Sequence, residues 1–281
     1  MAMVASAVSG IPWSLTAHRW DIAANEHFLL KARSACFVRF ISHSGRSMAA
    51  QIANEATERS VVIHMGVSLP QVQPDRPMRH EPVFLCPANL IPVKGHRYLI
   101  DAMRILRTEE KRCALWLAGH GELRNALKHC VRDFGLGDRV RFLGALPHQQ
   151  LLALYEQGDI DAMILPSVDL GGGKHEGIPV SLMEAMSYGV PVISTITGGI
   201  PELVTSDSGL LVPPADSAAL AHAMAAFIDS TDLRRQLGGA GSNRVRESFC
   251  AETIAQQLSL LFAQHRVRPG SEHIALAELV Q

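Results

Sequence analysis

Residues 175–204 read HEGIPVSLMEAMSYGVPVISTITGGIPELV and contain two glutamates, Glu176 and Glu184, separated by seven residues. A proline near the start of this stretch suits the first turn of a helix, where its missing N–H has no helical partner. The pattern therefore predicts a helix over residues 179–188, and the apolar run behind it predicts a buried strand over residues 191–194. A helix followed at once by a buried strand is typical of a parallel α/β sheet.

The two glutamates occupy different parts of this stretch. Glu176 falls in the loop before the predicted helix and Glu184 in its second turn, so they suit hydroxyls on different parts of one ligand. The helix N-terminus between them, which begins at Pro179, offers free N–H groups and a partial positive charge that favour phosphate. Two surface acids at a helix start are the alternative interpretation. The glycines at 171–173 and 198–199 favour a ligand site, because glycine lets a ligand approach the backbone closely.

The alternation of short apolar runs and amphipathic stretches extends along the chain from about residue 82. Apolar runs without internal alternation predict strands buried on both faces, and the stretches between them predict crossover helices. Strands are predicted over residues 83–86, 114–118, 140–143, 162–165 and 209–212. Helices are predicted over residues 95–108, 123–134 and 149–156, and from residues 216, 231 and 251. The predicted fold class is α/β with a doubly wound parallel sheet.

Fragments of the same pattern occur in the first 70 residues. They predict strands over residues 13–17, 36–41 and 61–64, and helices over residues 22–33 and 47–56. Residues 67–82 contain four prolines among polar residues, a composition typical of an interdomain linker. We therefore predict a partial N-terminal domain with its linker over residues 1–75, a second domain over 76–265, and a tail over 266–281 that is disordered or forms a last helical turn.

Composition excludes several classes of function. A formal net charge of −1 over 281 residues argues against a polycation built for nucleic acid. The five cysteines are scattered without C-x-x-C spacing, which argues against a disulfide framework or a zinc knuckle and favours the reducing cytoplasm. The thirteen histidines include no H-E-x-x-H pair, so no metal site is predicted.

Residues 175–204 closely resemble the donor-site signature of the family-4 retaining glycosyltransferases, which is a glutamate, seven residues and a second glutamate. Further stretches resemble the same family in the same order: ANLIPVKGHRYLIDA, LWLAGHGELRNAL, DRVRFLGALP, DAMILPS and GLLVPPAD. The resemblance covers about residues 60–250. It implies the GT-B fold, which consists of two Rossmann-like doubly wound domains, with the N-terminal one truncated in this chain.

The resemblance also implies roles for individual side chains. Glu176 would meet the hydroxyls of the transferred sugar near the reacting carbon, and Glu184 would hold the ribose hydroxyls. Lys94 would neutralise the diphosphate, whose charge grows as the glycosidic bond breaks, so that no metal is needed. His18, in the segment SLTAHRWD, would face the donor sugar. A histidine satisfied at a strand end is the alternative for His18. The implied catalytic residues are Glu176, His18 and Lys94.

The implied donor-binding residues are Asn89, Lys94, Gly144, Gly177, Ile178, Pro179 and Glu184. The nucleotide base would lie against loops such as residues 143–146, largely on backbone. Asn89 departs from the family pattern, because most relatives carry arginine there. Asn89 donates hydrogen bonds but has no charge. Three alternatives stay open: weaker donor affinity, compensation by another cation such as Lys174, or loss of activity.

The function implied is transfer of a sugar, with retention, from a UDP-, GDP- or ADP-sugar to a polysaccharide or lipid-linked acceptor, without a cofactor. The alternative is a non-catalytic nucleotide-sugar-binding fragment or part of a split enzyme, because the first part of the N-terminal domain is expected to be missing. A phosphorylase or an epimerase of the same fold fits the residues poorly. The expected location is the cytoplasm. Lys31, Arg33, Arg39 and Arg46 would form either a solvated face or a contact with the inner membrane surface.

Overall fold

The computed structural model describes residues 1–23, 27–74, 79 and 81–265. The predicted tail, residues 266–281, lies outside these described ranges. Two compact units are present: the larger is Met65–Ala251, and the smaller combines the described parts of Met1–His64 and Glu252–Gln281. The predicted domain ranges, with a boundary near residue 75, stay a prediction.

The predicted linker begins inside the larger unit. The Val67 N–H donates to the carbonyl of Phe249 at 2.9 Å, and the Ala251 N–H donates to the carbonyl of Val67 at 3.0 Å. Val67 therefore forms an isolated parallel bridge with Cys250. These bonds attach the start of the linker to the end of the larger unit.

The smaller unit contains a three-stranded parallel sheet in the order β1-β2-β3. Its elements along the chain are α1 (Ala2–Ser9), β1 (Leu15–Ala17), α2 (Arg19–Ala23), α3 (Phe28–Ser34), β2 (Val38–Phe40), α4 (His43–Ile52), a 3-10 helix (Asn54–Thr57) and β3 (Ser60–Val62). All three predicted strands are present, although each is only three residues long.

Helix positions in the smaller unit differ from the prediction. Helix α1 was not predicted, and the helix predicted over residues 22–33 is two shorter helices, α2 and α3. Helix α4 begins before the predicted residue 47, because the Ser42 hydroxyl accepts a hydrogen bond from the Gly45 N–H at 2.9 Å and caps the helix there.

The larger unit contains a six-stranded sheet in the order β6-β5-β4-β7-β8-β9, and every pairing in it is parallel. Its elements are β4 (Val83–Pro87), a 3-10 helix (Pro92–Lys94), α5 (His96–Thr108), β5 (Ala114–Ala118), α6 (Arg124–Asp133), β6 (Val140–Gly144), α7 (His148–Glu156), β7 (Ala162–Leu165), α8 (Val180–Ser187), β8 (Val192–Thr195), α9 (Ile200–Leu203), β9 (Leu210–Val212), α10 (Ser217–Asp229) and α11 (Thr231–Ser248). Helix α12 (Ala251–Gln264) follows. The predicted α/β fold class is confirmed.

The strand order reverses between β4 and β7. From β4 the chain first builds outward to β5 and β6, and then returns to add β7, β8 and β9 on the other side. Ligands of doubly wound sheets bind at such a switch point.

The two central strands, β4 and β7, and the helix that follows β4 contribute to the core of the larger unit. Phe84 of β4 and Ile164 of β7 are fully buried, as are Leu99, Met103 and Leu106 on the predicted apolar face of α5. Each such side chain contributes about 1.5–3 kcal/mol to folding through its removal from water. The floor of the switch point is therefore well packed. Every helix in the described part of the chain is too short or too polar to span a lipid bilayer.

Candidate functional site

Lys94 ends the 3-10 helix that follows β4, and close backbone packing fixes its place. Gly95 has a φ of 68°, and a Cβ at that position would lie 1.9 Å from the carbonyl oxygen of Pro166, just after β7. The Val168 N–H also donates to the carbonyl of Val93 at 2.9 Å. The loops after β4 and β7 are therefore joined backbone to backbone, which places Lys94 at the switch point.

An ion pair joins Lys94 to Glu176. The Lys94 Nζ lies 2.7 Å from the Glu176 Oε1, and the two side chains are only 19% and 16% exposed. The structure therefore brings together two of the three side chains predicted to be catalytic. Because most of the pair is shielded from water, solvent screens it less than an ordinary surface ion pair.

Glu176 is held by the glycines that follow β8. Gly198 has a φ of 55°, and a Cβ there would lie 1.8 Å from the Glu176 carbonyl oxygen. The His175 Nδ1 lies 2.7 Å from the same oxygen, and the Gly199 N–H donates to the carbonyl of Gly177 at 3.2 Å. Gly198 and Gly199 therefore lack a side chain because the backbone at residues 176–177 packs directly against them. This packing fixes the position of Glu176.

Glu184 has a different partner, His148. The Glu184 Oε1 lies 2.7 Å from the Nε2 of His148, the first residue of α7, and the side chain of Glu184 is 15% exposed. His148 was not predicted as a site residue, because the two residues are 36 positions apart in the chain. The sequence signal that could have indicated His148 is its position at the start of a predicted helix, four residues after the end of β6 at Gly144.

The start of α8 lies in sequence between the two glutamates. Pro179 is the N-cap of this helix, in an extended conformation with φ −68° and ψ 125°, and not its first residue as predicted. Within the described part of the chain, no side chain caps this helix start. Ile178 and Pro179 are buried, while Gly177 has open space where a Cβ would stand. The uncapped N–H groups and the helix dipole suit an anion.

The remaining predicted donor residues lie at the same edge of the sheet. Gly144 ends β6 with a φ of 76° and has open space at its Cβ position. Asn89 is exposed behind β4, and Lys174 is exposed two residues before Glu176. Among the described residues, neither the Asn89 amide nor the Lys174 ammonium has a hydrogen-bond or ion-pair partner.

His96 is a buried polar residue next to Lys94 that was not predicted. It is 1% exposed, and neither ring nitrogen has a hydrogen-bond partner within the ranges that the structure describes. Burial, with a smaller contribution from the positive charge of Lys94, lowers the pKa of His96 to about 4. The ring is therefore neutral at physiological pH.

His18 and the predicted basic face belong to the smaller unit. His18 is exposed directly behind β1, and its backbone N–H donates to the Asp21 Oδ2 at 2.9 Å; its role opposite the donor sugar stays a prediction. Arg39 was wrongly assigned to an exposed face. It is 8% exposed, and its Nε donates to the carbonyl of Ile63 at 2.8 Å.

A doubly wound sheet with a lysine, an acid and an uncapped helix start at its switch point is an arrangement that suits phosphorylated ligands. Residues 73–244 match the family described as Glycosyl transferases group 1. The chain belongs to this family, which confirms the resemblance found in the sequence.

Two curated relatives agree with this assignment. The chain is 35% identical over 210 residues to WcaL of Escherichia coli (strain K12), provisionally named a colanic acid biosynthesis glycosyltransferase; the match covers 73% of this chain and 51% of WcaL. It is 32% identical over 179 residues to a GDP-mannose-dependent monoacylated alpha-(1-6)-phosphatidylinositol monomannoside mannosyltransferase of Corynebacterium glutamicum, covering 63% and 46% of the two chains. The chain thus spans about half the length of these curated relatives.

The crystal structure of Anabaena Alr3699/HepE in complex with UDP has the same fold. The TM-score is 0.79 at 22% identity, and the superposition covers 94% of this chain and 75% of HepE. This likeness confirms the predicted GT-B fold class.

Proposed function

We propose that this chain binds a nucleoside-diphosphate sugar at the carboxyl edge of its larger sheet and transfers the sugar, with retention, to a polysaccharide or lipid-linked acceptor. The observation that carries the proposal is the 2.7 Å ion pair between Lys94 and Glu176 at the switch point. It supplies an ammonium for the diphosphate and a carboxylate for the sugar in one place.

The chemistry follows from where charge develops. As the bond to the sugar breaks, negative charge grows on the leaving nucleoside diphosphate. The Lys94 ammonium and the start of α8 stabilise that charge, because both are fixed before the reaction begins. A bound diphosphate takes over part of the Lys94 charge from Glu176, which leaves the carboxylate free to accept hydrogen bonds from sugar hydroxyls. Neither a metal nor a cofactor is part of this proposal.

The orientation of the donor follows from the two glutamates. Glu184 accepts hydrogen bonds from the ribose hydroxyls, and the base lies against the loop at residues 143–146. The sugar to be transferred lies toward Glu176. UDP, GDP and ADP are the donor classes to test. GDP-mannose comes first, because the name of the Corynebacterium relative specifies it.

The proposed acceptor is based on the names of two relatives, and the proposed location on the basic residues of the smaller unit. WcaL is named for colanic acid biosynthesis, and the Corynebacterium enzyme for a phosphatidylinositol monomannoside. We therefore propose both a polysaccharide and a lipid-linked acceptor. A cytoplasmic protein that contacts the inner membrane surface fits a lipid-linked acceptor. Lys31 and Arg46 remain candidates for that contact, whereas Arg33 pairs with Glu55.

Sugar transfer to an acceptor, or donor hydrolysis with water as the acceptor, tests the proposal with GDP-mannose, UDP-glucose and ADP-glucose and the purified chain. NMR reads the anomeric configuration of the released or transferred sugar. Replacing Glu176 or Lys94 by alanine is expected to lower turnover by about 10²-fold or more, as when a transition-state contact is lost. Glu109→Ala, an exposed acid behind α5, is the matched control. Turnover that ignores Glu176 and Lys94 would reject the proposal, and nucleotide binding without turnover would favour a binding module.

A further inference from the structure

The structure assigns to His148 the positioning of Glu184 for the ribose of the donor, a role that rests on the proposed function. His148 begins α7, directly behind the loop proposed to hold the base. It therefore stands at the nucleoside end of the site, while Lys94 and Glu176 stand at the diphosphate and sugar end.

The contact between His148 and Glu184 has a defined direction. A carboxylate only accepts hydrogen bonds, so the Nε2–H of His148 donates to the Oε1 of Glu184 across 2.7 Å. The bond occupies one carboxylate oxygen and fixes the plane of the group. Among the described residues, no group donates a hydrogen bond to Oε2 of Glu184. That oxygen can therefore accept a hydrogen bond from a ribose hydroxyl.

Folding gives little reason for this contact. His148 is 62% exposed, and a pair with so exposed a member adds at most a small amount to stability. Glu184, in contrast, is a largely buried acid whose carboxylate would be free to rotate without a donor. The value of the contact lies in holding that acid in one orientation before the nucleotide arrives, which lowers the cost of binding.

Discrimination between ribose and deoxyribose tests the inference. UDP, GDP and ADP are titrated calorimetrically into the wild-type chain, and the tightest binder is compared with its 2′-deoxy counterpart. For His148→Ala, the affinity for the ribonucleotide is expected to fall about three- to fivefold, the scale of one exposed charge-assisted contact. The 2′-deoxy nucleotide should lose less, so the preference for ribose shrinks. His148→Gln, which retains an N–H donor, should keep most of both values.

Gln149→Ala is the matched control, because it changes the neighbouring exposed residue of the same helix. Unchanged or tighter ribonucleotide binding in His148→Ala would overturn the inference, since His148 would then be idle or would compete with the ribose. Equal losses for both nucleotides would overturn it as well. If the wild-type chain binds none of the three nucleotides, the proposed function itself fails, which is a distinguishable result.

Discussion

Charge balance at the switch point depends on a few side chains. The Glu176 carboxylate already offsets the charge of Lys94 at 2.7 Å, and Asn89 contributes no charge. Lys174 lies two residues from Glu176, so their Cα atoms are within about 7 Å of each other. We propose Lys174 as the second cation for the diphosphate, in keeping with one of the alternatives that the sequence left open.

Two substitutions test the role of Lys174. Lys174→Ala is expected to weaken nucleoside-diphosphate binding about three- to fivefold. The double variant Lys174→Ala/Asn89→Arg should recover the lost affinity, because the arginine returns a positive charge to the site. Isothermal titration measures both, with Lys128→Ala on the exposed face of α6 as control. Binding that is indifferent to Lys174 would show that Lys94 and the start of α8 suffice.

Acid should destabilise the larger unit through His96. The unfolded chain takes up the His96 proton near pH 6.5, whereas the folded chain resists protonation until about pH 4, because burial lowers the pKa. The unfolded state therefore binds more protons between these values. Stability is lost as the pH falls through that window, by about 3 kcal/mol in total.

His96→Leu removes this titration and places an apolar side chain of comparable size in the same buried position. Urea unfolding at pH 7 and pH 4.5 should show a smaller loss for the variant than for the wild type. Equal losses in the two chains would mean that His96 does not contribute to the acid sensitivity.

At the scale of elements, α11 packs closely against the turn behind α8. A Cβ on Gly238 would lie 2.3 Å from the carbonyl oxygen of Gly189, while a Cβ on the neighbouring Gly239 meets nothing within 4 Å. Gly238→Ala is therefore expected to destabilise the protein by about 1–3 kcal/mol, the cost of overpacking. Gly239→Ala should instead stabilise it by up to about 1 kcal/mol through helix propensity.

Thermal and chemical unfolding of the two variants measures the difference. Because the substitutions are identical and adjacent in one helix, a general effect of alanine cancels between them. Equal stabilities would show that α11 does not depend on close contact with Gly189.

The elements of the larger unit were predictable because their signals are local. The apolar runs of β5 and β7 mark both strands to the residue. Short elements escaped prediction: the 3-10 helix ending at Lys94 and the four-residue α9 are too short to show a period. The same difference between local and long-range signals separates the site residues that were predicted from the one that was not. Sequence resemblance predicted roles for Lys94, Glu176 and Glu184, but the contact of Glu184 with His148 depends on how α7 packs near α8.

For the whole molecule, the comparisons establish the family and the fold, and sugar transfer is our proposal. The chain belongs to the Glycosyl transferases group 1 family and has the GT-B fold class, yet it spans about half the length of its curated relatives. The larger unit contains Lys94, Glu176 and Glu184. Donor binding therefore depends on that unit in our account, whereas transfer also involves an acceptor.

A crystal structure of the chain with the nucleoside diphosphate that binds most tightly would show whether the donor binds at the switch point. We expect phosphate oxygens within hydrogen-bond distance of the Lys94 Nζ, about 2.7–3.2 Å, and ribose hydroxyls that donate hydrogen bonds to the Glu184 carboxylate. A nucleotide bound away from the switch point, or one with its phosphates at Glu184 and its ribose at Lys94, would show that the proposed donor site is wrong.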